Sequence, residues 1–175
     1  KSITETALSA MGFETHAYFA LTDGMAPIGF SNHPMEWVHR YTERGYGTVD
    51  PAVSGALQRR LPFQWSKDTA LLSKREKTIL NEGAEFGIRT GATVPVHTGP
   101  KEMGLFLVSS EVAHSEFEML WKEHQYAVHL IATYFHSMFY EHVLQAELRS
   151  DAQLSPRECE CLLWASKGKS AWETG

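Results

Sequence analysis

Cysteine is scarce. The 175-residue chain has two, Cys159 and Cys161. Two residues apart on a helix they point to different faces, and they make neither a CxxC redox pair nor a zinc framework. Reduced thiols in a cytoplasmic protein are expected. Long hydrophobic runs are missing too. No stretch approaches a membrane span and no signal peptide is seen, so no membrane role is expected. There is no basic excess. A net charge of −5 argues against this part of the chain gripping phosphates by itself, because nucleic-acid binding needs a basic footprint. Catalytic signatures are absent: no GxSxG, no Walker loop, no HExxH. Of nine histidines, the five from His114 to His142 include no i,i+4 pair. They read as surface or dimer-face residues, and neither a metal nor a cofactor is expected.

What is present is ordinary for a globular chain, 43 % apolar and 21 % charged. The length holds one well-buried domain with a fragment left over. The informative stretch is 31–51, SNHPMEWVHRYTERGYGTVDP. Pro34 suits the first position of a helix, and Gly45 suits its left-handed end. His33, Trp37 and Tyr41 fall four apart and so share one face, while Glu36 and Arg40 can pair outward. Asp50 is a good N-cap, and Pro51 a good first residue, for a second helix. A face of rings with polar tips admits two readings: plain core packing, or the wall of a pocket with a few placed donors and one acceptor.

Along the rest of the chain, residues 4–12 read as the tail of a helix. Residues 16–21 (HAYFAL) and 28–31 read as strands, with turn chemistry at Thr22, Asp23 and Gly24. Pro62 disfavours a central strand over 61–65. Ser73 with Glu76 is a capping box opening a helix to Gly87. Residues 89–97 and 104–109 flank a turn at 98–101 and read as a hairpin; Pro95 suggests an edge or bulge, and Gly91 a close approach to the backbone. Ser115 with Glu118 is a second capping box, opening the longest helix. That helix has more apolar surface than one sheet face needs, so part of it is expected to serve a partner subunit. Ser155, Pro156 and Glu158 start another helix, and Ser170 with Glu173 a further one.

Trp37, Tyr41, Asp50, Pro51, Trp65 and Gly91, in this order and spacing, together with LSPRECECLLWASKGKSAWE near the end, resemble LuxR-type quorum-sensing transcription factors. The resemblance runs from about Met11 to the last residue. It implies an α/β (α+β) fold, a five-stranded antiparallel sheet between helices with a ligand enclosed between sheet and helices. It also implies an autoinducer-binding domain over 1–148, a linker at 149–153 and the start of a helix-turn-helix domain at 154–175. The groove-reading helix is expected beyond Gly175, so DNA is expected as a partner only through a complete helix-turn-helix domain. The chain begins at Lys1 rather than Met, and its natural beginning is expected upstream. A homodimer is expected.

The family's signal is an acyl-homoserine lactone. By resemblance Trp37 donates its indole N–H to the lactone carbonyl and Asp50 accepts from the amide N–H. An indole can only donate and a carboxylate can only accept, so type suits task. Asp50 has a rival duty as the cap of its own helix, and the sequence leaves both readings open. Tyr41, Val53 and Trp65 match residues that enclose the ligand, and Thr93 another lining position. Two departures stand out. His33 replaces the usual tyrosine four residues before the tryptophan; a neutral imidazole can donate to the amide carbonyl, and it titrates near neutral pH. Leu107 falls where many relatives carry a hydroxyl near the acyl carbonyl, which favours an unsubstituted, branched or aryl acyl group over a 3-oxo one. A lactone-hydrolysing enzyme built on Asp50 and His33 lacks a nucleophile and an oxyanion site. A ligand-independent partner of another regulator is the other alternative.

Overall fold

The computed structural model describes residues 3–22, 27–68, 72–99 and 102–144. The chain divides into two compact units, Lys1–Ser137 and Met138–Gly175, and the site lies in the first. The expected linker and helix-turn-helix start, with Cys159 and Cys161, lie outside the described residues. So do Asp23, Gly24, Pro100 and Lys101 of the expected turns.

Five strands form one antiparallel sheet in the order β2-β1-β5-β4-β3. They are β1 (Thr15–Thr22), β2 (Ile28–Ser31), β3 (Phe63–Ser66), β4 (Thr90–His97) and β5 (Glu102–Ser110). The helices are α1 (Ile3–Ala10), α2 (Met35–Glu43), α3 (Pro51–Gln58), α4 (Lys74–Ala84) and α5 (His114–Phe139). The sheet is α+β in class and antiparallel throughout, as the resemblance implies.

The pleat sorts the side chains onto two faces. On one face Tyr18, Phe30 and Phe106 gather around Phe135 of α5 at ring distances of 5.0, 5.0 and 5.8 Å. Phe13, after α1, packs edge-on against Phe117 and Trp121 of α5. On the other face Ala17, Leu105 and Leu107 join Trp37, Ala52, Ala56, Trp65, Ile79 and Leu80 in a second core under α2, α3 and α4. Burial of both faces accounts for the near-continuous burial of β5. The buried stripe of α5 is Phe117, Trp121, Val128, Ala132 and His136. Met119, Tyr126, Leu130 and Tyr134 of the same helix are exposed.

Several local expectations need correction. Pro34 is the N-cap of α2, not its first residue, with an extended ψ of 132°; its carbonyl accepts from Val38 N–H at 3.1 Å. The Ser73–Glu76 box forms in full, but the Ser115–Glu118 box does not. Helix α5 starts at His114, with the Ala113 carbonyl accepting from Phe117 N–H, so Ser115 is already inside it. Glu118 instead lies 3.7 Å from His114. β4 is an interior strand, yet β3 pairs with it only as far as Thr93. Pro95 therefore stands past the end of β3, where its missing N–H forfeits no ladder bond. His136 is not a surface histidine. It is buried against the sheet, where its Nδ1 lies 2.7 Å from the Tyr18 hydroxyl. Burial holds its pKa below the usual imidazole range, against the charge of Glu102.

Candidate functional site

Between the inner face of the sheet and α2, α3 and α4 lies a cavity of about 200 Å³. His33, Trp37, Tyr41, Asp50, Val53, Trp65 and Leu107 all line it. Three local features bring them there. The spacing of four aligns Trp37 and Tyr41 on α2 just after His33. Gly45, at φ 61°, turns the chain out of α2. The Asp50 cap then starts α3, its side chain accepting from Ala52 N–H at 2.8 Å. Thr93 is not among the lining residues. It is fully buried, and its hydroxyl accepts from the Trp65 indole N–H at 3.2 Å and donates to the Ala52 carbonyl at 3.1 Å. It braces the wall by tying β4 to α3 and fixing the Trp65 ring.

The polar groups converge at one end. Asp50 is buried, and desolvation pushes its carboxyl above the usual range, opposed by its bonds from Ala52 N–H and Tyr41. The Tyr41 hydroxyl donates to Asp50 Oδ2 at 2.9 Å, and burial beside that carboxylate drives its pKa far up, so it stays a donor. One oxygen of Asp50 thus serves the cap and the other Tyr41, and each keeps a further lone pair. The Nε2 of His33 is sealed from solvent without a hydrogen-bond partner. Burial, and secondarily His16, lower its pKa to about 4, so the ring is neutral. Among the described residues none accepts from the Trp37 indole N–H. Unpaired polar groups in an apolar cavity are costly unless something satisfies them.

An aromatic cage backs this end. Trp37 meets Tyr41, Tyr46 and Phe86 at ring distances of 5.7, 6.2 and 5.7 Å. Outside it, Arg40 sits 4.8 Å over Phe86 and pairs with Glu85 at 3.1 Å. Arg44 pairs with Glu82 and donates to the Tyr46 hydroxyl at 3.1 Å. These pairs tie α2 to α4 across the outside of the cage.

The sequence reading missed other lining residues: Phe19 and Ser109 on the sheet, Ile79, Leu80 and Gly83 on α4, and Ile88. The strand period of two supplied a signal for some of them. Ser109 is two residues beyond Leu107, and Phe19 shares β1 with the lining Ala17. Ser109 places a hydroxyl near the site after all, held 2.6 Å from that of Thr15. Among the described residues no group of His, Cys, Asp and Glu is placed to hold a metal ion, and no helix is long and apolar enough to cross a membrane.

The family model described as "Autoinducer binding domain" matches residues 1–139. The chain is similar to an HTH-type transcriptional regulator, y4qH, of Sinorhizobium fredii, 34 % identical over 146 residues covering 82 % of this chain and 44 % of the relative. It is similar to the transcriptional activator BjaR1 of Bradyrhizobium diazoefficiens, 31 % identical over 98 % of this chain and 71 % of the relative. The chain thus spans about half the length of y4qH. Among solved structures, the LuxR-family transcription factor CepR2 of Burkholderia cenocepacia matches with a TM-score of 0.57 and 23 % identity, over 66 % of this chain and 71 % of that one. That last likeness concerns the fold. These relatives are named as regulators, not enzymes, and the chain belongs to the autoinducer-binding domain family of LuxR-type transcriptional regulators.

Proposed function

We propose that this chain is the sensing part of a quorum-sensing transcriptional regulator and binds an acyl-homoserine lactone-type signal in the cavity. One observation carries the reading. Around a single apolar cavity stand a donor without an acceptor (Trp37), a buried carboxylate with spare lone pairs (Asp50) and a sealed imidazole nitrogen without a partner (His33). A lactone carbonyl, an amide N–H and an amide carbonyl supply the three complements, and an apolar tail suits the rest of the wall. CepR2 is described as N-acylhomoserine lactone dependent. Tyr41, Val53 and Trp65 enclose the ligand, Leu107 is the floor beneath its acyl group, and Thr93 acts through Trp65.

Occupancy is then read out as folding and pairing. A ligand that binds only the folded state stabilises it by about 2.7 kcal/mol at a hundredfold excess over Kd. For a chain of this size that raises Tm by roughly 5–10 °C. The stabilised domain pairs as a homodimer, and paired DNA-binding domains of the full regulator match paired half-sites. Two measurements test this. Mass spectrometry of extracts of the purified protein should identify a retained homoserine lactone, and adding one should raise Tm and soluble yield. An unchanged Tm with every homoserine lactone tried would instead favour a ligand-independent partner of another regulator.

A further inference from the structure

The sheet gives the cavity a direction. Side chains on its inner face form rows two residues apart, a spacing of about 7 Å along the strands. The first row holds Ser109 beside Gly91, which pairs with Trp65. The middle row holds Ala17, Leu107 and Thr93, the last of them bonded to the carbonyl of Ala52 next to Asp50. The far row is Gly29, Phe19 and Leu105. The middle floor is low, because Ala17 offers only a methyl group. The far row is different. Phe19 lines the cavity and lays its ring against the bare backbone of Gly29, where an added Cβ would stand 2.9 Å from Phe19 Cδ1. Beside it in the same row Leu105 is fully buried and does not line the cavity. Phe19 packs on into the same core, with Leu21 and Leu72 also against it.

We infer that Phe19 is the end-stop of the cavity and restricts the signal to a short or compact acyl group. The inference rests on the lactone reading above. With the polar head held beside Trp37 and Asp50, an acyl chain extends past Ala17 and meets the Phe19 ring about one row later. The size agrees. A cavity of about 150 Å³ accommodates benzene. The cavity of about 200 Å³ here is only about a third larger, which suits a compact ligand better than one with a long tail. Phe19 therefore sets length, whereas Leu107 sets polarity.

The test is a titration of the purified chain, followed by tryptophan fluorescence, with N-butanoyl-, N-hexanoyl-, N-octanoyl- and N-decanoyl-homoserine lactone. Parent, Phe19→Ala and Phe19→Leu are compared, the leucine variant preserving the core if alanine does not fold. In the parent, affinity should rise about fourfold per methylene, the value for a buried methylene, up to hexanoyl at most, and then level or fall. Either variant should move the optimum at least two carbons longer, with octanoyl gaining about tenfold relative to butanoyl. If decanoyl or octanoyl binds the parent best, or if the optimum stays put in both variants, Phe19 is not the stop, although lactone binding stands. If no homoserine lactone binds the parent, the proposed function fails and this inference falls with it.

Discussion

Asp50 caps α3 through one oxygen and receives Tyr41 through the other, and the two duties can be separated by substitution. Asp50→Asn keeps an oxygen for Ala52 N–H, and asparagine caps as well as aspartate does. It replaces the acceptor that an amide N–H needs. Melting of the ligand-free protein should therefore change little, while lactone affinity falls by about 100-fold, as expected when a buried acceptor is lost. Asp50→Ala should in addition cost about 1 kcal/mol or more through the lost cap and the stranded Tyr41 hydroxyl. Tight lactone binding by Asp50→Asn would show that the residue is a cap alone. His33 gives a pH dependence. Folded, it stays neutral down to about pH 4, against a reference value of 6.5. Below 6.5 the unfolded chain takes the proton and the folded chain does not, so stability present above pH 6.5 drains away as pH falls toward 4. Burial pushes His16 and His136 the same way, while Asp50, pushed up, acts in the opposite sense. The comparison with His33→Gln isolates the one group. Between about pH 6.5 and about pH 5 the variant should lose less stability than the parent, by roughly 1–2 kcal/mol. Parallel curves would show that His33 titrates alike in both states.

At the scale of elements, the site depends on β3 lying flat against β4. Gly91 makes that possible. A Cβ there would stand within 2.6 Å of the Trp65 ring and of the Val108 carbonyl oxygen. Gly91→Ala should cost about 2–3 kcal/mol, as overpacking against a backbone atom does. It should also displace Trp65 from the cavity wall and so weaken ligand binding. Chemical denaturation and lactone titration of the same variant measure both losses, and an alanine tolerated in both respects would refute the close packing. Elements were legible where a cap or a period marks them. The Ser73 box, the Asp50-Pro51 helix start and the short aromatic and apolar run of β1 each act over a few residues, within reach of sequence. The start of α5 was misplaced because a boxed pattern competes with the His114–Glu118 pair. His136 was misplaced because its partner, Tyr18, lies 118 residues away.

At the scale of the molecule, α5 is two-sided. Its inner stripe fills the sheet, and its outer stripe of Met119, Tyr126, Leu130 and Tyr134 is exposed. A contiguous apolar face of this kind is the expected seat of a second copy. Leu130→Glu combined with Tyr134→Glu touches none of the buried residues. It should convert a dimer to a monomer in light scattering while leaving cavity binding intact. A dimer that survives both charges would place the interface elsewhere.

The sequence by itself determined the fold class, the order of the elements and seven of the residues that come to face one cavity. Those depend on caps, short apolar runs and helical spacing, which are properties of neighbours along the chain, and on an ordered set of residues shared with a family. Only the tertiary structure decided that Thr93 stands behind Trp65 rather than at the surface of the cavity. Only it decided that Ser109 supplies a hydroxyl two residues from Leu107 and that Phe19 closes the far end. Each of these follows from the register between strands distant in sequence, and register is fixed by burying both faces of the sheet at once.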